Sequence, residues 1–80
     1  MIIKILGSGC KKCVALGDNV YATLKTTGRE AEIVKVTDVV DIAGYGVMST
    51  PGLVIDEEVV SVGKILTEVE IAELLRARQP

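Results

Sequence analysis

Cys10 and Cys13 stand three positions apart, and they are the two cysteines of an 80-residue chain that has no histidine. That combination narrows the available chemistry. Without imidazole there is no Cys–His nucleophile pair and no His-ligated metal, so what remains is thiol chemistry or a soft ion held by two sulfurs. The pair follows the apolar run Ile2–Leu6 and Gly7-Ser8-Gly9, where a helix should begin. A helix start presents unpaired N–H groups and a partial positive charge, which favour thiolate over thiol at Cys10. Lys11 and Lys12 add two ammonium groups acting in the same direction. Lowering a thiol pKa from about 8.5 to about 7 raises the thiolate fraction at neutral pH roughly sixteenfold. The Brønsted slope of about 0.4–0.5 takes back roughly four- to sixfold of that in nucleophilicity. The larger benefit is a better leaving sulfur at Cys10 and a second thiol held within reach on the same helical turn.

Three other uses of the same sulfurs need weighing. A purely structural disulfide over so short a loop contributes about 2 kcal/mol, and a reducing compartment works against it. Burial as inert core cysteines suits Cys13, but Cys10 after Gly-Ser-Gly is expected at the surface. Two thiolates cannot complete a zinc tetrahedron within one chain. A two-coordinate soft ion such as Cu(I), or a site shared between chains, stays open as the alternative function.

The elements that must position the pair can be read from the apolar pattern. Twelve Val and eight Ile against seven Leu cluster in short runs, as buried strands do. Ile2–Leu6 is the first strand. A helix follows over 11–26, with Val14, Val20, Tyr21 and Leu24 close to one face and Gly28 placed to end it. Residues 31–36 form a second strand, and 38–43 a short helix begun by Thr37 or Asp38 and stopped by Gly44 and Gly46. Residues 45–51 read as loop, 52–56 and 59–62 as strands, with Asp56-Glu57-Glu58 as a turn that lacks the Asn-Gly or Asp-Gly pair of tight hairpins. The last helix carries a capping box, Thr67 with Glu70, flanked by Leu66 and Ile71 at staple positions. Glu68, Glu70 and Glu73 load its start and Arg76 and Arg78 its end, with Gln79-Pro80 closing it. The order is β-α-β-α-β-β-α. A strand–helix–strand unit demands a parallel pair, and the close-coupled last strands an antiparallel one. The expected fold is therefore a single α/β domain over 1–80, a four-stranded mixed sheet with helices on both faces.

Composition excludes several partners. Nine Lys and Arg against eleven Asp and Glu give a net charge of -2, the wrong sign for a nucleic-acid or anionic-membrane role. The chain has two Tyr and neither Trp nor Phe, so stacking platforms for single-stranded nucleic acid are missing. No apolar run approaches the ~18 residues of a membrane span. Met1–Leu6 lacks the basic flank and cleavage pattern of a signal peptide. A cytoplasmic location with reduced thiols is the expectation.

The sequence strand–Gly-Ser-Gly-Cys10-Lys11-Lys12-Cys13–helix, followed by Tyr45-Gly46-Val47-Met48-Ser49-Thr50-Pro51 before a strand, resembles the thioredoxin fold over nearly the whole chain. It is most similar to the small thioredoxin-like redox-active disulfide proteins, which are of glutaredoxin size. The resemblance implies a thiol–disulfide oxidoreductase in which Cys10 attacks and Cys13 resolves, and a cis peptide at Thr50-Pro51 facing the disulfide. Thr50 would then offer its backbone to an extended substrate strand. Lys11 and Lys12 could meet an anionic thiol such as a glutathione-like tripeptide, or be solvated surface lysines. A disulfide-containing protein or small-thiol substrate, a reductase or low-molecular-weight thiol as electron donor, no bound cofactor, no metal and a monomeric state complete the expectation. The chain departs from thioredoxins proper in having Gly9 where they carry Trp, Lys11-Lys12 where they carry Gly-Pro, and Lys4 where they carry a buried proton-relaying Asp. Lys4 is read as a solvated strand residue or as one more cation near the thiols. Tyr45 is read as packing. Copper chaperones also place C-x-x-C between a first strand and a helix, but in a β-α-β-β-α-β order and with Met where this chain has Ser8.

Overall fold

The computed structural model describes residues 1–77. Its elements run β1 (Ile2–Leu6), α1 (Lys11–Thr27), β2 (Glu32–Val36), α2 (Val39–Gly44), β3 (Gly52–Ile55), β4 (Glu58–Val62) and α3 (Glu68–Ala77). This is the order expected from sequence, with boundaries displaced by a residue or so; it is not the order of the copper chaperones. The four strands form one sheet in the order β2-β1-β3-β4. β1 pairs parallel with β2 and antiparallel with β3, and β3 pairs antiparallel with β4.

Alternation along the inner strands separates two cores, because successive side chains point to opposite faces. Ile3 and Ile5 of β1 and Leu53 and Ile55 of β3 meet Leu16, Val20 and Leu24 of α1 and Ile71 and Leu75 of α3. Leu6 and Val54 point the other way, onto Ile42 of α2 and Val47 of the following loop, with Tyr45 packed against them. Helices therefore cover both faces, α1 and α3 on one and α2 on the other.

The buried face of α1 differs from the one expected. Cys13, Leu16, Gly17, Val20, Thr23 and Leu24 are buried, while Val14 and Tyr21 are about half exposed, at 53% and 51%. The seam is set by Cys13 and Gly17, which a hydropathy count undervalues. Gly17 is buried where the helix packs on β1, and a Cβ there would lie in ordinary van der Waals contact with Ile5 Cδ1, at 3.5 Å. Gly28 ends α1 in the left-handed conformation, φ 70°. Asp38, the N-cap of α2, accepts a 2.8 Å hydrogen bond from the Val40 N–H.

The β3–β4 turn is a two-residue connection with positive φ at both Asp56 (49°) and Glu57 (69°), the backbone of a type I′ hairpin made without glycine. Tertiary contacts supply what the local sequence lacks. Asp56 exchanges two hydrogen bonds with Ile2, its N–H donating to the Ile2 carbonyl and its carboxylate accepting from the Ile2 N–H, both at 2.8 Å. Glu57 is held by Lys4 and Tyr45. Beyond the turn, β4 carries a bulge: Leu53 faces Ser61 and Val54 faces Val59, leaving Val60 as the extra residue.

The capping box of α3 forms as read: the Glu70 N–H donates to Thr67 Oγ1 at 3.2 Å and the Thr67 N–H donates to Glu70 Oε1 at 3.1 Å. Leu66 and Ile71 are both buried on either side of it. The closing signals Arg78 and Gln79-Pro80 lie outside the described residues. Thr67→Ala is expected to lower unfolding stability by about 1 kcal/mol through the orphaned N–H groups, and Leu75→Ala by about 2–5 kcal/mol through a core cavity. Urea denaturation of both variants checks the ranking.

Candidate active site

β1 is flanked by strands on both sides, and its end determines where the cysteines stand. The chain leaves β1 after Leu6, continues the parallel ladder for one more bond (Gly7 N–H to the Val36 carbonyl, 2.9 Å) and turns through Ser8 and Gly9 into α1. Cys10 is the N-cap of α1, with φ -67° and ψ 165°. Its Sγ accepts the Cys13 N–H at 3.3 Å. A side-chain acceptor at this position satisfies one of the helix's orphan donors, and a sulfur anion gains most from it because the helix dipole has its positive end there. Cys10 and Cys13 are joined as a disulfide with Cα atoms 5.0 Å apart. Cys10 is exposed and Cys13 is buried to 5%. One sulfur faces solvent and its partner sits beneath it.

Lys11 and Lys12 occupy the first two helical positions, both exposed, and the first turn contains no acidic residue. Cations at a helix start oppose the dipole by about 0.3–1 kcal/mol each. α3, by contrast, obeys the rule with Glu68 and Glu70 in its first turn. The departure in α1 concentrates positive charge around the exposed sulfur.

The loop 45–51 closes the other side of the site. The Thr50–Pro51 peptide bond is cis. Pro51 is buried and its carbonyl accepts the Gly63 N–H at 2.8 Å, whereas Thr50 is exposed. Gly7 is the point at which this loop and the cysteines converge: a Cβ built there would collide with Cys13 Sγ, lie 3.1 Å from Cys13 Cβ and 3.8 Å from Thr50 Cβ. The six residues singled out from sequence therefore fall on two neighbouring segments, Cys10-Lys11-Lys12-Cys13 and Thr50-Pro51. Gly7 is the residue sequence reading missed. In the sequence it is legible only as a strand terminator, because the cysteine it meets, Cys13, lies on the next element.

Lys4 corrects the sequence reading in both of its forms. Its side chain is neither freely solvated nor turned toward the sulfurs. It lies on the α2 face of β1, opposite Ile3 and Ile5, and is ion-paired with Glu57. Its ammonium also donates to Tyr45 Oη at 2.6 Å and sits 5.3 Å from the ring centroid. Tyr45 Oη in turn donates to Glu57 Oε2 at 3.2 Å. Hydrogen bonding to Glu57 and to Tyr45 raises the Lys4 pKa, and the Lys4 bond lowers that of Glu57. Tyr45 thus packs, as expected, but also joins β1 to the hairpin turn.

Among the described residues no group of three or more Cys, Asp or Glu side chains is arranged to hold a metal ion, and no helix is long and apolar enough to cross a membrane. A surface sulfur at a helix start, disulfide-bonded to a buried one on a mixed sheet of this order, defines a thiol–disulfide exchange protein. Residues 1–76 match the thioredoxin domain family. The chain is 44% identical over 77 residues to a thioredoxin of Methanocaldococcus jannaschii, covering 96% of this chain and 88% of that one. It is 33% identical over 75 residues to a thioredoxin of Methanothermobacter thermautotrophicus, covering 94% and 97%. The chain belongs to the thioredoxin family, and its activity is thiol–disulfide oxidoreduction; proteins of this class act on disulfide substrates and are recharged by reductase partners.

The Lys4–Glu57 pair carries a pH signature. A carboxylate with a lowered folded pKa adds stability that is complete above the ordinary glutamate value of 4.5 and is lost as pH falls through the lowered value. The raised lysine adds stability that is complete below its ordinary 10.5 and is lost only as pH rises through the higher folded value. The stability difference between wild type and Glu57→Gln is therefore expected to be flat near neutrality and to vanish on acidification below the ordinary glutamate range, as read by urea denaturation at a series of pH values.

Proposed function

We propose that Cys10 is the attacking sulfur and Cys13 the resolving one. The observation that carries this assignment is the asymmetry of the pair: Cys10 is exposed at the helix N-cap and accepts the Cys13 N–H, and Cys13 is buried behind it. In the reduced protein the Cys10 thiolate attacks one sulfur of a substrate disulfide. The substrate S–S bond breaks, its other sulfur leaves as a thiolate that takes up a proton, and Cys10 is left in a mixed disulfide. Cys13 loses its proton and attacks Cys10 Sγ, which restores the internal disulfide and releases the second substrate thiol. Two electrons have passed to the substrate. A reductase or a low-molecular-weight thiol returns them, so the cysteine pair itself is the redox group and the reading calls for no bound cofactor.

Substrate recognition in this reading falls to Thr50 and to the two lysines. Pro51 has no N–H and its carbonyl is occupied by Gly63, which leaves Thr50 as the backbone on that segment for pairing with an extended substrate strand. Lys11 and Lys12 favour substrates with negative charge near the reacting sulfur. A cytoplasmic site of action fits this reading, since a reducing compartment returns the pair to the dithiol that attacks. A monomer suffices, since both sulfurs and the facing loop come from one chain.

Cys10→Ser is expected to abolish reduction of insulin or of a small disulfide, and Cys13→Ser to accumulate a mixed disulfide detectable as an intact mass increase. Full activity of Cys10→Ser would overturn the assignment. Replacing Lys11 and Lys12 together with Gln is expected to slow reaction with glutathione disulfide about threefold or more at low salt, with a smaller effect on the neutral hydroxyethyl disulfide and convergence of the two at high salt. Stopped-flow rates at two ionic strengths measure it.

A further inference from the structure

We infer that Gly7 is a positioning residue that sets how readily the Cys10–Cys13 disulfide is reduced. The inference rests on the exchange activity assigned above and concerns a residue outside the cysteine pair. Gly7 is buried, and its φ lies outside the left-handed region, so the position does not call for glycine on conformational grounds. It calls for glycine because Cys13 Sγ occupies the space of a Cβ, with Cys13 Cβ 3.1 Å and Thr50 Cβ 3.8 Å from the same point.

Neither backbone can withdraw to make room. Gly7 is tied to β2 by its bond to the Val36 carbonyl. α1 is held by Leu16 and Val20, both fully buried in one core with Ile3 and Ile5 of β1. A methyl group at residue 7 must therefore be accommodated by the Cys13 side chain. Here the two redox states differ. In the disulfide, Cys13 Sγ is bonded to Cys10 and has no alternative rotamer. In the dithiol it is free to turn about χ1, and a hollow of about 50 Å³ lined by Ile5, Gly7, Gly9, Cys13, Val14, Lys35 and Thr37 lies beside it. A side chain at position 7 thus penalises the disulfide more than the dithiol, and glycine keeps the oxidised form accessible.

The test is a redox titration of Gly7→Ala against glutathione, in which the protein disulfide plus two glutathione thiols gives the protein dithiol plus glutathione disulfide. The equilibrium constant for that reduction is expected to rise at least tenfold, an upward shift of about 30 mV in midpoint potential. Gly44→Ala, where a Cβ meets nothing within 4 Å, is expected to titrate as wild type. A Gly7→Ala midpoint within threefold of wild type overturns the inference. So that a poorly folding variant still reports, the same substitution is made in a Cys13→Ala background. Loss of stability with Cys13 present and its relief with the sulfur removed support the inference; equal loss in both backgrounds overturns it. Wild type reports on the underlying activity separately: absence of any reversible titration there removes the exchange chemistry itself, whatever Gly7→Ala does.

Discussion

The site depends on where β1 ends. β1 is paired on both sides, to β2 and to β3, and its inward residues Ile3 and Ile5 are locked between α1 and α3. A strand held so firmly delivers its last residue to a fixed point, and the first sulfur follows four residues later at a helix start. The helix is equally constrained, because its buried seam runs through Cys13, Gly17, Val20 and Leu24 onto the same strand. The cysteine pair is placed by two rigid elements, and the loop between them spans only Gly7 to Gly9. Precision at the sulfurs is inherited from core packing some distance beneath them, which is the usual means by which a site is held to sub-ångström tolerance.

The charge pattern divides labour between the helices and the sheet. α3 is built for stability, with a reciprocal capping box, acidic residues at its start and Arg76 in its last turn. α1 breaks the same rule at Lys11 and Lys12. Local choices that contradict helix physics are expected where function imposes them, and here the conflict sits on the two residues between the cysteines. Lys4 is the third lysine near this end of the sequence, but the pleat sends it to the other face, into a pair with Glu57. It serves the architecture of the hairpin and leaves the thiols to the helix and its first turn.

Much of this was legible in the chain, and what was not has identifiable causes. The element order, the caps at Asp38 and Thr67 and the stop at Gly28 rest on local chemistry that each segment carries with it. Cys10 and Cys13 were evident because spacing and placement are themselves sequence properties. The inward face of α1 differs from the apolar count at Val14 and Tyr21, since the buried seam runs through Cys13, Leu16 and Gly17 as well as Val20 and Leu24, and a cysteine and a glycine carry little apolar signal. The Asp56-Glu57 turn adopts positive φ through bonds to Ile2, Lys4 and Tyr45, residues more than ten positions away, and no local signal encodes them. Gly7 escaped for the same reason: its neighbour Cys13 is near in sequence, but the contact exists only once α1 has docked on β1.

The bulge at Val60 has a bearing on how these molecules meet one another. β4 is a border strand, and its outward N–H and C=O groups are a template on which another chain could add a strand. The extra residue between Ser61 and Val59 interrupts the spacing of those groups and increases the local twist. An irregularity in one ladder thereby makes this border of the sheet a poorer template for a further strand.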